Sequence, residues 1–322
     1  IPFPNEELED QVLLKRDGMP TYNFANVIDD HLMEVSHIIR GTEFITSTPK
    51  HVLLYEAFGW ELPAFIHLAP VMGQNEDGSV SKLSKRHGSA SFNDLATQGF
   101  LPEAIVNYVA LLGWAPKDTN QEIFTMEELI DHFSLEGLSK STAVFDYAKL
   151  AWMNGEYFKA MEDAEFAQLA RPYMGDLPQN LEDKAGDLLS LLKTRITSFG
   201  DIKGEIGFLI DQPPFDAGLY ENKKNKMTAA KAREILPPVL DLLSEIPAEE
   251  WQNDKLYAKL MAHIETTGLK KGQALWPIRI AVAGKSVTPG GATELLSILG
   301  KDASLSRMQK SLAALKAANN AT

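Results

Sequence analysis

The stretch DGMPTYNFANVIDDHLMEVSHIIRGTEFITSTPKHVLLYEAFGW, Asp17–Trp60, decides how the first part of this chain is read. Asp17-Gly18 follows the apolar run Val12-Leu13-Leu14 and is a turn signal of the hairpin type. Thr21–Val27 alternates β-forming residues and predicts a second strand. Asp29 and Asp30 are placed to cap a short helix running to about Val35. His37-Ile38-Ile39-Arg40-Gly41 predicts a third strand that ends on a cation. Ser47-Thr48-Pro49 opens a helix with proline in its first turn, and Gly59 stops it. Strand, short helix, strand, helix is half of an α/β nucleotide-binding fold, where ligands meet the carboxyl ends of strands.

Downstream lies a second informative stretch, VMGQNEDGSVSKLSKRHG, Val71–Gly88. An apolar strand end gives way to a polar loop punctuated by Gly73, Gly78 and Gly88. Lys82, Lys85 and Arg86 fall within five residues of it. Cations held on a loop suit a polyphosphate, because they can meet the charge that builds on a leaving group. A solvated surface loop would carry the same residues, so Lys82-Leu83-Ser84-Lys85-Arg86 needs its neighbours to be decisive.

From Leu62 to about Ala160 strands and loops surround this segment and then yield to helices. Pro102 opens an apolar helical period stopped at Gly113, and Thr125-Met126-Glu127-Glu128 is a capping box. From Glu162 onward the pattern is helical, with segments expected at Leu181–Thr194, Met227–Ser244, Ala248–Thr267 and Ala303–Ala318. Asp211-Gln212-Pro213-Pro214 and Thr288-Pro289-Gly290-Gly291 are the strongest breaks.

Composition limits the function classes. The 322 residues are 44% hydrophobic and 23% charged, as in ordinary globular proteins. No apolar run approaches the roughly 18–20 residues of a membrane span, and the acidic N-terminal residues show no signal-peptide pattern. Zero cysteines exclude disulfides and cysteine-bound zinc within these residues, which fits a cytoplasmic protein. A net charge of −13 argues against indiscriminate nucleic-acid binding, DNA included, and leaves room for a specific RNA met by a local basic surface.

Several motifs together resemble one family. Asp17–Trp60 and DGSVSKLSKRHGSASFNDLATQGFLPEAIVNYVALLGWAP (Asp77–Pro116) are similar to bacterial-type glutamyl-tRNA synthetases, which are class I aminoacyl-tRNA synthetases. Ser139–Tyr157 and Ala274–Lys301 match more weakly, in collinear order. The resemblance implies a multidomain protein: a partial α/β class I nucleotide-binding half-fold over 1–60, and a mixed stem-contact region with the lysine loop over 61–161. Two all-α anticodon-binding parts would follow over 162–219 and 220–322. It implies ATP as a substrate, with Mg2+, and L-glutamate and tRNA(Glu) as partners.

Residue by residue, Tyr22 and Arg40 match the family's glutamate-binding tyrosine and arginine, with Asn26 in support. Lys82 and Lys85 match the lysines that stabilise the ATP phosphates, and Ser84 and Arg86 belong to the same loop. Arg195 resembles a position that inspects an anticodon base. Lys223, Lys224 and Lys226 form a basic concentration suited to RNA phosphates. His31, His37 and His51 read as structural, and no metal site is visible.

The chain departs from the family pattern in places. Phe44 stands where the family usually has tryptophan, and Glu34 where it usually has glycine. None of the seven histidines lies in the His-x-Gly-His signature that binds ATP. The first half of the nucleotide-binding fold and the acceptor-stem insertion are therefore expected to lie outside these 322 residues, leaving them inactive alone. A truncated, non-catalytic paralogue that binds tRNA or a protein is the alternative.

Overall fold

A computed structural model describes residues 1–84, 87–88 and 91–320. It divides into two compact units, Ile1–Ala96 with Pro102–Met153, and Thr97–Leu101 with Asn154–Thr322.

In the first unit, Leu14 and Pro20 pair across the Asp17-Gly18 turn, where Gly18 holds φ +85°. This single bridge is all that forms of the strand expected at Val12–Leu14, because the turn returns the chain at once into a helix. That helix, α1 (Tyr22–Leu32), replaces the strand expected at Thr21–Val27. Thr21 stands at its N-cap, so Asp29 and Asp30 lie inside the helix rather than capping one. The physical reason is the apolar period. Phe24, Val27 and His31 recur at three and four residues, and all three face one aromatic cluster. Val27 is fully buried among Leu54, Tyr55, Leu13 and Trp60, Phe24 packs on the same group, and the His31 ring stacks on Trp60 at 3.7 Å.

The chain leaves α1 through Glu34, a non-glycine residue at φ +58°. The left-handed region costs an L-residue roughly 1–2 kcal/mol, partly offset because glycine loses more entropy on folding. Glu34→Gly is therefore expected to stabilise the fold by about 0.5–1 kcal/mol, read as a higher midpoint of urea unfolding. A lower midpoint would show that Glu34 makes a compensating contact.

β1 (His37–Gly41), α2 (Thr48–Phe58) and β2 (Ala64–Leu68) form a parallel β-α-β unit in which Arg40 is opposite His67. Pro49 in the first turn of α2 and Gly59 at φ +69° after it bear out the predicted start and stop. β3 (Val71–Gln74) and β4 (Val80–Lys82) make an antiparallel hairpin. β5 (Ala143–Val144) adds to β3 in parallel. α3 (Phe92–Thr97), α4 (Pro102–Gly113), α5 (Met126–His132) and α6 (Tyr147–Ala160) complete this half of the chain. The capping box before α5 is present as read, with Thr125 and Glu128 exchanging side-chain and backbone bonds.

The second unit is helical. α7 (Asp163–Met174), α8 (Gln179–Glu182), α9 (Ala185–Leu192) and α10 (Ile202–Ile210) come first. The segment expected to run unbroken through Leu181–Thr194 is thus two helices, parted at Asp183-Lys184. α11 (Ala229–Glu245), α12 (Asn253–Thr267), α13 (Lys271–Ala283), α14 (Ala292–Leu299) and α15 (Lys301–Asn320) follow. Both predicted breaks fall between helices. Arg307 of α15 donates to Phe208 O (2.8 Å), Leu209 O (2.6 Å) and Val282 O (3.0 Å), so one guanidinium satisfies the last carbonyls of α10 and α13.

Candidate functional site

The parallel pair β1–β2 brings its carboxyl ends together, and Arg40 stands there. Its Nη1 donates to His51 Nδ1 at 3.2 Å and its Nη2 to Thr48 Oγ1 at 2.8 Å, both from the first turns of α2. Its guanidinium carbon lies 5.5 Å from the Phe44 ring centre and 5.5 Å from that of Phe65. Face and edge are therefore both fixed by neighbours. Among the described residues no carboxylate pairs with Arg40. Burial lowers the Arg40 pKa, and the charges of Tyr22 and Asp30 work against that. A half-buried cation without an anion is a ready receptor for a carboxylate.

His51 has no exposed surface, and its Nε2 meets Asn23 Oδ1 of α1 at 3.0 Å. Arg40 has no acceptor atom, so His51 Nδ1 must be the unprotonated nitrogen and Nε2–H the donor to Asn23. Burial first, and Arg40 second, lower the His51 pKa to about 4. His67 Nε2 lies 3.1 Å from Thr48 Oγ1, and its pKa is likewise lowered, by burial and then by Arg40. Asn23, His51, Arg40, Thr48 and His67 thus form one network across α1, α2, β1 and β2. His51 is structural, as expected from sequence, but the group it supports is the candidate ligand-binding arginine. Nothing in the local sequence at position 51 signals that.

Tyr22, the first residue of α1, is 60% exposed, and its ring centre is 6.4 Å from that of Phe44. Asn26 follows one helical turn later, on the side of α1 that carries Tyr22. Tyr22 and Arg40 therefore approach each other from a helix and a strand, rather than from two strands as the sequence reading had it. Phe44, in the place of a tryptophan, lies against both.

The lysine loop belongs to the same unit. Lys82 ends β4, and its Nζ reaches Glu43 Oε1 at 3.2 Å, just beyond β1, with both side chains largely exposed. Glu43 has its pKa lowered by its own backbone N–H and then by Lys82. Lys82 and Arg40 are thereby brought to the same end of β1. Ser84 donates its backbone N–H to His87 Nδ1 at 3.1 Å, and His87 Nε2–H meets Asn75 Oδ1 at 2.9 Å. The His87 ring lies on Gly73, where a Cβ would collide with it. His87 therefore ties the loop to the β3–β4 hairpin, a part that sequence reasoning did not assign. Lys85 and Arg86 lie outside the described residues.

The second unit carries the candidate RNA-facing groups. Arg195 is exposed after α9. Arg279 of α13 was missed in the sequence. It stacks on Trp276 at 4.7 Å and donates to Ser286 O at 3.0 Å, and its pKa is lowered by burial and then by the charge of Arg195. Lys223, Lys224 and Lys226 are exposed on a turn closed by the Asn222–Met227 bridge. Asn225 of that turn lies against Gly272 at the start of α13, about 10 Å along the helix from Arg279. One helix therefore gathers the lysine turn at its start and the two arginines further along.

Comparison with known proteins fits this arrangement. Residues 1–152 match the family model for class I tRNA synthetases (E and Q), catalytic domain, and residues 165–312 match the anticodon binding domain model. The chain is 47% identical over 317 residues to a glutamate–tRNA ligase of Clostridium botulinum (strain Eklund 17B), covering 98% of this chain and 64% of the relative. It is 46% identical to one from Lachnoclostridium phytofermentans, covering 96% of this chain and 61% of that relative. A crystal structure of an Elizabethkingia meningosepticum glutamate tRNA ligase in complex with its amino acid superimposes with a TM-score of 0.82. It is 31% identical and is matched over 96% of this chain and 63% of that one. The matches define a class I tRNA synthetase catalytic domain followed by a helical anticodon-binding domain. The chain is similar to glutamate–tRNA ligases along nearly its whole length, and it spans less than two thirds of the length of these relatives.

Proposed function

We propose that this chain is the part of a cytoplasmic glutamate–tRNA ligase that grips the glutamate side chain, the ATP phosphates and the tRNA anticodon. The observation that carries this reading is Arg40, a half-buried guanidinium at the end of β1 that forms no ion pair with a carboxylate among the described residues. Five N–H groups leave three after His51 and Thr48 are served, enough for one bidentate carboxylate. Tyr22 and Asn26 border that position. A glutamate held there presents its α-carboxylate for attack on the α-phosphorus of ATP. The bond from that phosphorus to the bridging oxygen breaks and pyrophosphate departs. Lys82, with the neighbouring Lys85 and Arg86, supplies positive charge where the departing phosphates gain negative charge, and the Ser84 hydroxyl can donate a hydrogen bond there. A ribose hydroxyl at the tRNA 3′ end then attacks the acyl carbon, and AMP leaves.

Mg2+ is expected to accompany the nucleotide. Among the described residues no group of three His, Asp or Glu is arranged to hold it, so no step is assigned to a protein-bound metal. In the second unit, Arg195, Arg279 and Trp276 are suited to reading unpaired bases by edge contact and stacking. Lys223, Lys224 and Lys226 are suited to the phosphates.

The test is charging of tRNA(Glu) with labelled glutamate. The full-length polypeptide is expected to charge it, and the 322 residues alone are expected not to, since they hold no His-x-Gly-His. Charging by the 322-residue polypeptide would show that the residues described here complete the ATP site.

A further inference from the structure

Arg40 is held by its neighbours without an ion pair to any carboxylate of the described residues. Its two hydrogen-bond acceptors, His51 Nδ1 and Thr48 Oγ1, are neutral. Asp30 interacts with it electrostatically but shares no hydrogen bond with it, and the Asp30 pKa is raised, chiefly by burial. The position of His51 is over-determined: it is fully buried and its other nitrogen is engaged by Asn23. A carboxylate in its place would make a stronger, charge-assisted bond to the same guanidinium. It would also cancel the charge that a ligand carboxylate needs.

We infer that His51 is a specificity-positioning residue, which orients Arg40 through a neutral acceptor and so keeps its charge available to select a carboxylate over a carboxamide. Thr48 does the same at the second nitrogen. This rests on the reading of Arg40 as the glutamate-binding arginine. The lowered His51 pKa, about 4, agrees with it, because the ring then stays uncharged down to well below neutral pH. The Asn23 contact adds direction, since it holds the proton on Nε2 and leaves the Nδ1 lone pair facing Arg40.

The test compares the KM for L-glutamate with the Ki for L-glutamine in tRNA-dependent pyrophosphate exchange by the full-length polypeptide. His51→Gln, which offers a neutral acceptor, is expected to leave the ratio of the two constants within about threefold of wild type. His51→Glu is expected to erode discrimination by about tenfold or more, mainly through a raised glutamate KM, since a carboxylate beside an arginine interacts by one to three pKa units. A residue needed only for packing would alter turnover and both constants together without moving their ratio. Should His51→Glu fail to fold, Thr48→Asp places the same charge beside the same guanidinium at a less buried position. An unchanged ratio in a folded His51→Glu or Thr48→Asp protein overturns the inference. Arg40→Ala runs in parallel. If it leaves the glutamate KM unchanged, the assignment of Arg40 itself fails, a result separable from the first.

Discussion

Replacing Arg40 with alanine is expected to raise the glutamate KM by about 30-fold to several hundredfold, with a smaller change in turnover. Removing one partner of a hydrogen-bonded, desolvated charge pair costs about 2–5 kcal/mol. Arg40 is only half-buried, so the lower part of that range applies, and each 1.4 kcal/mol is about tenfold. The effect falls on affinity because the side-chain carboxylate keeps its charge and takes no part in the chemistry, so ground and transition states lose the contact equally. Arg40→Lys is expected to recover little, since an ammonium cannot span His51, Thr48 and a ligand carboxylate at once. Steady-state pyrophosphate exchange over a glutamate series measures both. A KM within threefold of wild type in Arg40→Ala would remove this arginine from the site.

Lys82→Ala is expected to do the opposite, lowering turnover by about 10²–10³-fold with little change in the glutamate KM. Losing one donor aimed at developing charge has that magnitude. The lysine is 72% exposed and pairs with Glu43, and an exposed pair of this kind contributes little, because solvent screens it. A polyphosphate can therefore displace Glu43 cheaply and recruit Lys82. His87 anchors the loop behind it through Ser84 and Asn75, so the lysine is held at the root of the loop. Single-turnover adenylate formation gives the direct reading. Unchanged turnover in Lys82→Ala would mean that the phosphates lie elsewhere.

Much of this arrangement was legible in the sequence, and what was not has physical reasons. Arg40, Lys82 and the helix stops at Gly59 and Gly113 follow from turn chemistry and from motifs that stay together along the chain. Thr21–Val27 misled because Thr, Tyr, Phe and Val favour strands locally. The burial of Val27 against Leu54 and Tyr55 decides for a helix, a tertiary effect that seven residues do not reveal. Tyr22 and Asn26 kept their common side regardless, since a spacing of four residues shares a face in both conformations. The network behind Arg40 joins residues 23, 40, 48, 51 and 67, and only the fold brings them together. Arg279 stayed hidden for the same cause. Its relation to Arg195 joins a helix to a turn far away in sequence, whereas the lysines at 223–226 are close together and announced themselves.

The most direct test of the central claim is tRNA-dependent pyrophosphate exchange by the full-length polypeptide with glutamate, glutamine and aspartate supplied in turn. Exchange that requires glutamate, and that neither of the others supports at equal concentration, is the result predicted by an unneutralised Arg40 beside the lysine loop. Exchange supported equally by glutamine would contradict it.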